Sequence, residues 1–366
     1  MTKSTPGSVR SGFKARPIGR ALIPILSCLL LLNGACTPKS GVHKDGRTVN
    51  LAIWGNYLDP EDEKRFTQQT GIKLNITNYS SNEELLAKVQ AGASGIDVAV
   101  PSDYMVGVMI KLGLLEPLKS DLIPNIAELD PQFLKQSYDP TNTFSLPYAW
   151  TTTGLAVHKD LVRTPVKGWK DVISNADLDG KISLLDDKRE VMAVAAKINR
   201  FPVNTTDDQQ LAQIKKTLLD LHKKVKMFRS DTVDPLVGKE ITVAHAYSGD
   251  TLQAWRKTHG KVEYVFPEEG GTWGIDNVVI FKNSSHLEEA HALINFFFQP
   301  ETNVNFVKRM LAGPVVMKTK ALLPSELQNL AALFPPPAAM AKLEKIQDLG
   351  EKNKDYDRIW TEVRAR

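Results

Sequence analysis

Val49-Asn-Leu-Ala-Ile-Trp-Gly-Asn-Tyr57 decides the fold class of this chain, because an apolar run stops at a glycine-bearing loop and strand–helix units then follow it. Val49–Trp54 predicts a buried strand, Pro60 to Gln69 a helix, Lys73 to Asn78 a strand, Glu83 to Gln90 a helix and Asp97 to Val100 a strand. Strands that alternate with helices predict an α/β fold with helices on the faces of a sheet. In such sheets ligands bind beyond the carboxyl ends of the strands. Trp54-Gly-Asn-Tyr57 and Pro101-Ser-Asp-Tyr104 are the loops leaving two such ends.

A second α/β region follows. Thr152–His158, Lys181–Leu185, Ile241–Ala246, Lys261–Phe266 and Gly270–Ile280 predict strands; Val191–Asn199, Asp207–Lys224 and Thr251–His259 predict helices. Helical periodicity returns at His286–Phe298 and Glu301–Met310. At 366 residues the chain exceeds one typical core and predicts two domains. There is no internal repeat.

Lys3, Arg10, Lys14, Arg16 and Arg20 precede an apolar run from Ala21 to Leu32, and no acid occurs in the first 35 residues. That is the pattern of a signal peptide, residues 1–35; its apolar core is shorter than the roughly 20 residues a spanning helix needs. Of 46 basic residues the leader takes five, leaving 41 against 42 acids, so the mature chain is near neutrality. A nucleic-acid partner would call for a basic patch, and Lys223-Lys224-Val-Lys226 reads only as a solvated helix face. Cys28 and Cys36 are the only cysteines, so the exported chain has no disulfide.

Ser183-Leu-Leu-Asp-Asp-Lys-Arg-Glu-Val191 holds a first candidate site. Asp187 and Glu190 stand three apart at a helix start, which fits an N-cap with a capping box. It also fits two carboxylates aimed into a cleft at something cationic. These residues alone leave both readings open.

With the stretches assembled, the chain resembles the bacterial spermidine/putrescine-binding proteins, the soluble receptors of polyamine ABC importers. The resemblance runs through Ile53-Trp-Gly-Asn-Tyr57, Thr70-Gly-Ile72, Asp97-Val-Ala-Val-Pro-Ser-Asp-Tyr104, Ser145-Leu-Pro-Tyr-Ala-Trp150, Leu185-Asp-Asp-Lys-Arg-Glu190, Tyr247-Ser-Gly-Asp250, Pro267-Glu-Glu-Gly-Gly271 and Ile275-Asp276. It implies a two-lobe periplasmic-binding-protein fold, each lobe a central mixed sheet flanked by helices, with a ligand cleft between. The implied division is a tether at 36–47, a first lobe of 48–151 with 275–320, and a second of 152–274 with 321–366. Leu31-Leu-Asn-Gly-Ala-Cys36 resembles the lipobox of bacterial lipoproteins, implying a lipid anchor on Cys36, although Asn33 stands where Leu is usual.

Position by position, the resemblance implies that Trp54 and Tyr57 wall the ligand and that Ser102 and Tyr104 close on it. Asp187 and Glu190 face its nitrogens, with Arg189 bracing them from behind, and Tyr247 replaces a usual Trp. Asp250 matches an acid of the putrescine-preferring branch, Asp276 an acid common to both branches, Gln347 a late polar contact, and Ser230 is a minor candidate. Two positions depart from the pattern: Asn56 stands where Asp or Glu is common, and Gly274 where an aromatic is usual, with Trp273 beside it. Tyr148 and Trp150 are expected in the hinge and core.

The implied function is capture of a putrescine- or spermidine-type polyamine by a monomeric receptor at the outer face of the cytoplasmic membrane, or in the periplasm. Its partners are ABC permease subunits and, through Cys36, the membrane. A sensory role at a signalling receptor, or another small cationic solute, stays open. No cofactor, nucleic-acid or enzyme motif is expected: the chain lacks a G-x-S-x-G elbow and a phosphate loop. Asn175-Ala-Asp-Leu-Asp-Gly180 imitates the start of a calcium loop but is followed by a predicted strand.

Overall fold

A computed structural model describes residues 46–365 apart from Asn56, Ala93 and Ser94. The signal peptide, Cys36, nearly all of the tether and the Asn56 departure therefore lie outside the described residues.

The strands are β1 Thr48–Trp54, β2 Lys73–Tyr79, β3 Val98–Ala99, β4 Ser145–His158, β5 Ile182–Leu184, β6 Val225–Phe228, β7 Val243–Tyr247, β8 Val262–Val265, β9 Gly271–Ile280 and β10 Leu343–Glu344. They form one mixed sheet in the order β2-β1-β3-β9-β4-β7-β5-β6, with β8 on β4 and β10 on β9. β1 is parallel to β2 and β3, and β5 is parallel to β6 and β7, as strand–helix alternation requires. Only β9 and β4 break the pattern: β9 is antiparallel to β3 and β4, and β4 antiparallel to β7.

That reversal joins the two halves. β4 is fourteen residues long, and its first part packs Leu146, Ala149 and Trp150 into one hydrophobic core while Leu155 and Val157 enter another. The first core gathers β1, β2 and the helices Leu287–Phe297 and Pro300–Met310, and also takes Leu323, Leu327 and Leu333. The second gathers β5, β7, Ile214 and Leu218, and the C-terminal helix Asn353–Arg364 through Tyr356, Ile359 and Val363. The chain thus forms two α/β lobes sharing a pair of long antiparallel strands.

Local chemistry sets the helix ends. Asp59 accepts from the Glu61 N–H and Pro60 opens α1 (Pro60–Thr70), while Gly71 ends it at φ +69°, where a Cβ is disfavoured. Ser81 accepts from Glu84 to cap α2 (Asn82–Gln90), and α3 (Asp103–Lys111) follows Ser102. Further on are α4 (Trp169–Ser174), α5 (Lys188–Ile198), α6 (Asp208–His222), α7 (Val233–Val237) and α8 (Ser248–Lys257).

Three expectations change. Val225–Phe228 is a strand on the sheet edge, not a helix face; Lys226 alternates with half-buried Val225 and Met227 and pairs with Glu240, while Lys224, just before the strand, pairs with Asp179. β4 begins at Ser145 rather than Thr152: Pro147 hides the strand in sequence, and the ladder takes a register shift there. Asp103 and Tyr104, expected in the loop Pro101-Ser-Asp-Tyr104, already belong to α3, whose period Gly107 and an apolar run blur.

Trp150 fixes the crossing of the lobes. Its indole N–H donates to Pro314 O at 2.8 Å, and its ring lies where a side chain on Gly313 would go, 2.1 Å from that added Cβ. Gly313→Ala should therefore destabilise the protein by about 1–3 kcal/mol through overpacking, read as a lower urea midpoint. An unchanged midpoint would mean the ring has space to move.

Candidate functional site

Between the lobes lies a cleft of about 810 Å³. Trp54, Ser102, Tyr104, Asp187, Glu190, Tyr247 and Asp276 all line it, as do Ser230 and Trp273. Tyr57, Asp250 and Gln347 do not line it directly.

Asp276, on β9, is the best-held acid of the first lobe. Ser102 Oγ donates to its Oδ1 and Tyr57 Oη to its Oδ2, both at 2.8 Å. The Ser102 hydroxyl, which ordinarily would cap α3, makes no capping bond. Burial raises the Asp276 carboxyl above its usual range, and the two hydroxyls pull it back. Tyr57 thus acts through Asp276, its ring lying parallel to Tyr148 at 6.1 Å. Trp54 donates its indole N–H to Val100 O at 2.8 Å, which fixes the ring at the cleft wall against Tyr79. Tyr104 Oη accepts from Asn82 and donates to Glu83, both at 3.1 Å.

On the opposite lobe both sequence readings of the 185–190 stretch hold in part. Asp187 does cap α5, accepting from the Arg189 and Glu190 N–H groups at 2.8 and 3.1 Å. Glu190 closes no capping box; its Oε2 accepts from Thr153 Oγ1 at 2.9 Å and Thr272 Oγ1 at 2.7 Å, on the two shared strands. Burial, then the charge of Asp187, pushes the Glu190 carboxyl up to about 8, although the threonines and Arg189 oppose this. Asp187 is raised too, by burial and by Glu83 facing it from the first lobe. His245 Nε2 lies 3.9 Å from Glu190, but burial drops that imidazole to about 3, so it is neutral and the contact is no ion pair.

Tyr247 begins α8, and burial raises its hydroxyl pKa, with Asp187, Glu190, Asp250 and Asp276 all adding to the effect. It is the one aromatic that senses all four acids. Asp250 stands in the first turn of α8; burial and Asp231 push its carboxyl up to about 7. Gln347 is exposed, and its backbone rather than its side chain is engaged: its carbonyl accepts from Arg189 at 2.8 Å and its N–H donates to Asn204. Arg189 accordingly ties down the 345–348 segment and stacks on Tyr356 instead of bracing the acids by hydrogen bonds.

Sequence reasoning passed over four residues. Thr153 and Thr272 look like ordinary strand residues until the register sets them opposite each other. Glu83 reads as a first-turn helix acid, and Asp103 as part of a loop. Asp103 is 6% exposed, accepts from the Tyr104 and Ile275 N–H groups, and is pushed up to about 6 by burial. Only the assembled sheet makes these four neighbours of the ligand cleft.

A cleft rich in carboxylates and walled by aromatics, whose lining cations Lys188 and Arg189 are bonded to Asp357 and to Gln347 and Asn204, suits a cationic, partly apolar guest. Among the described residues no group of acids, histidines and cysteines is arranged to hold a metal ion. Nor is any helix of those residues long and apolar enough to cross a membrane.

The family model described as bacterial extracellular solute-binding protein matches residues 64–335. The chain is 29% identical to the spermidine/putrescine-binding periplasmic protein of Salmonella typhimurium, over 92% of this chain and 97% of that one. It is 30% identical to the putrescine/cadaverine-binding protein of Pseudomonas aeruginosa, over 86% and 93%. The crystal structure of a spermidine/putrescine ABC transporter substrate-binding protein from Streptococcus pneumoniae superposes with a TM-score of 0.80 at 29% identity, covering 87% of this chain and 99% of that one.

The titrations of the site set a sign for stability. Glu190 at about 8 and Asp250 at about 7 keep protons that the unfolded chain, with carboxyls at 4.5 and 3.8, has released. The folded state binds more protons between those limits, so stability falls as pH rises through the window. The ligand-free protein should melt at a lower temperature at pH 8.5 than at pH 6, and Glu190→Gln should flatten the dependence. A melting temperature that rises over the same interval would refute the assignment.

Proposed function

The chain belongs to the bacterial extracellular solute-binding proteins, and from that premise we propose that it captures a polyamine outside the cytoplasmic membrane and delivers it to an ABC importer. It is a binding protein and performs no catalysis. The observation that carries the reading is the convergence of Asp187, Glu190 and Asp276 with Tyr247 in a cleft between two lobes, with Asp250 close behind Tyr247. A polyamine is an apolar chain with ammonium groups at intervals, and each group needs carboxylates while the methylenes need aromatic walls.

In this reading one ammonium group sits at Asp276, whose two oxygens are oriented by Ser102 and Tyr57. The other sits at Asp187 and Glu190, and Trp54, Tyr104 and Tyr247 flank the methylenes between them. Asp250 adds charge behind Tyr247. Gln347 contributes through the backbone of its segment. Each charge-assisted hydrogen bond is stronger than a neutral one, and each cation–π contact adds about 0.5–2 kcal/mol.

The same groups supply a closing force. Glu83 on the first lobe and Asp187 on the second repel each other across the empty cleft, and both cationic ends of a ligand relieve that repulsion. Because its contacts come from both lobes, the ligand favours the closed arrangement by its differential affinity for it. The first lobe is 48–151 with 275–320 in this scheme and the second 152–274 with 321–366. The receptor acts as a monomer held at the membrane by a lipid on Cys36, a tether supported by the Leu-Leu-Asn-Gly-Ala-Cys36 pattern. It presents the loaded closed form to the permease.

Thermal-shift measurements with putrescine, cadaverine, spermidine and spermine, set against amino acids and calcium, test this directly. A ligand at about 100 times its dissociation constant should stabilise the protein by roughly 2.7 kcal/mol. Asp276→Asn and Glu190→Gln should each weaken binding by about tenfold or more, on the scale of one lost charge-assisted contact. Asp179→Asn, whose carboxylate pairs with Lys224 and does not line the cleft, should leave binding unchanged. No stabilisation by any of the four polyamines would defeat the proposal.

A further inference from the structure

One cation is already present at the edge of the cleft. Lys345 Nζ lies 4.1 Å from the centre of the Trp273 ring and 5.6 Å from that of Tyr138, and it hydrogen-bonds Gln136 Oε1. Asp103 is its charge partner: the Lys345 ammonium is the largest influence holding the Asp103 carboxyl down, and Asp103 in turn supports the charge on Lys345. An acid, an aromatic face and a side-chain amide around an ammonium group are the parts from which an amine subsite is made.

The lysine is held in place by its main chain. Immediately before it, Leu343 and Glu344 pair with Gly271 and Thr272 of β9, and the Glu344 carboxylate binds Lys197. The Lys345 carbonyl accepts from Asn204 Nδ2 at 2.7 Å. Lys197, Asn204, Gly271 and Thr272 of the second lobe thus fix the backbone from which the side chain reaches Trp273, while Gln136 of the first lobe holds its ammonium. It is not a surface lysine free to swing away.

The other basic residues at the cleft are committed elsewhere. Lys188 pairs with Asp357, and Arg189 bonds the Gln347 carbonyl and Asn204. At Gly274 even an added Cβ would stay 3.8 Å from Asp103 Oδ2, and Asp103, Trp273 and Gly274 all line the cleft. The Trp273–Asp103 end thus has room and an aromatic wall, and its negative charge is matched by the protein's own ammonium. Among the described residues no lysine or arginine plays that part for Asp250 or Asp276.

We propose that Lys345 determines specificity by occupying the Trp273–Asp103 end of the cleft with its own ammonium group, so that the site takes a ligand with two cationic ends and rejects a third. The inference rests on the polyamine reading above and narrows it to diamines. A triamine must bring a charged nitrogen to a place where a like charge already sits on the aromatic face. Like charges at that distance disfavour each other, and the low-dielectric surroundings strengthen the effect.

Calorimetric titration of putrescine and spermidine into the wild type and into Lys345→Met and Lys345→Arg separates the two readings. The wild type should bind putrescine more tightly than spermidine. Lys345→Met, which keeps most of the side chain's length and removes its charge, should shift the affinity ratio toward spermidine by about tenfold, the scale of one desolvated cation–π contact. Lys345→Arg should keep the wild-type preference. Putrescine binding with the ratio unchanged in Lys345→Met would overturn the role of Lys345 and leave the polyamine reading intact. Tighter spermidine than putrescine binding by the wild type would overturn it as well, without any variant having to fold. Binding of neither amine by the wild type would instead remove the polyamine reading and this inference with it.

Discussion

Carboxylates gathered out of water govern this molecule. An ionised acid is costly to bury unless a cation or several hydrogen-bond donors accompany it. Here Glu190 and Asp250 are driven up to about 8 and 7, chiefly by burial. The chain gives Glu190 and Asp276 hydroxyl donors and Asp187 backbone donors, yet among the described residues no lysine or arginine is set against Asp250 or Asp276. The empty cleft is thereby left with an electrostatic cost that a cationic ligand removes.

The fold is arranged so that this cost is felt by both lobes at once. β4 and β9 run through both halves of the sheet and lend Thr153 and Thr272 to Glu190, while β9 also carries Asp276. Helix starts provide the rest: α3 follows Ser102, α5 follows Asp187 and α8 follows Tyr247. Ser102, Asp187 and Tyr247 thus stand at helix starts, while Asp276 and Thr153 are held within the β4–β9 ladder. A change in charge at the centre is passed to two rigid bodies through one pair of shared strands. The segment at 343–348 spans the same gap, with Asp348 bonded to Lys111 of one lobe and Asn353 of the other.

The alternation of strands and helices was legible in the sequence, because both 3.6- and 2-residue periods are strong in Val49–Trp54, Pro60–Thr70 and Gly271–Ile280. Three acids that line the cleft, Asp187, Glu190 and Asp276, were legible too, whereas Glu83 and Asp103 were not. What stayed hidden depends on register and on long-range approach. Thr153 meets Thr272 only when β4 is antiparallel to β9, and no local pattern announces a pair 119 residues apart. Lys345 is one lysine among many until β10 docks beside Gly271 and turns its ammonium onto Trp273. Arg189 shows the opposite failure: adjacency in sequence to two acids suggested a brace, while its reach carried it to Gln347 and Asn204.

The direct test is whether a cationic guest displaces protons from these acids. Putrescine titrated calorimetrically near pH 7, in two buffers of different ionisation enthalpy, reports the protons exchanged on binding. Net proton release is expected, because Glu190 at about 8 and Asp250 at about 7 are protonated in part when the cleft is empty and ionise when the ammonium groups arrive. Binding with no proton exchange, or with net uptake, would contradict a cleft governed by desolvated carboxylates.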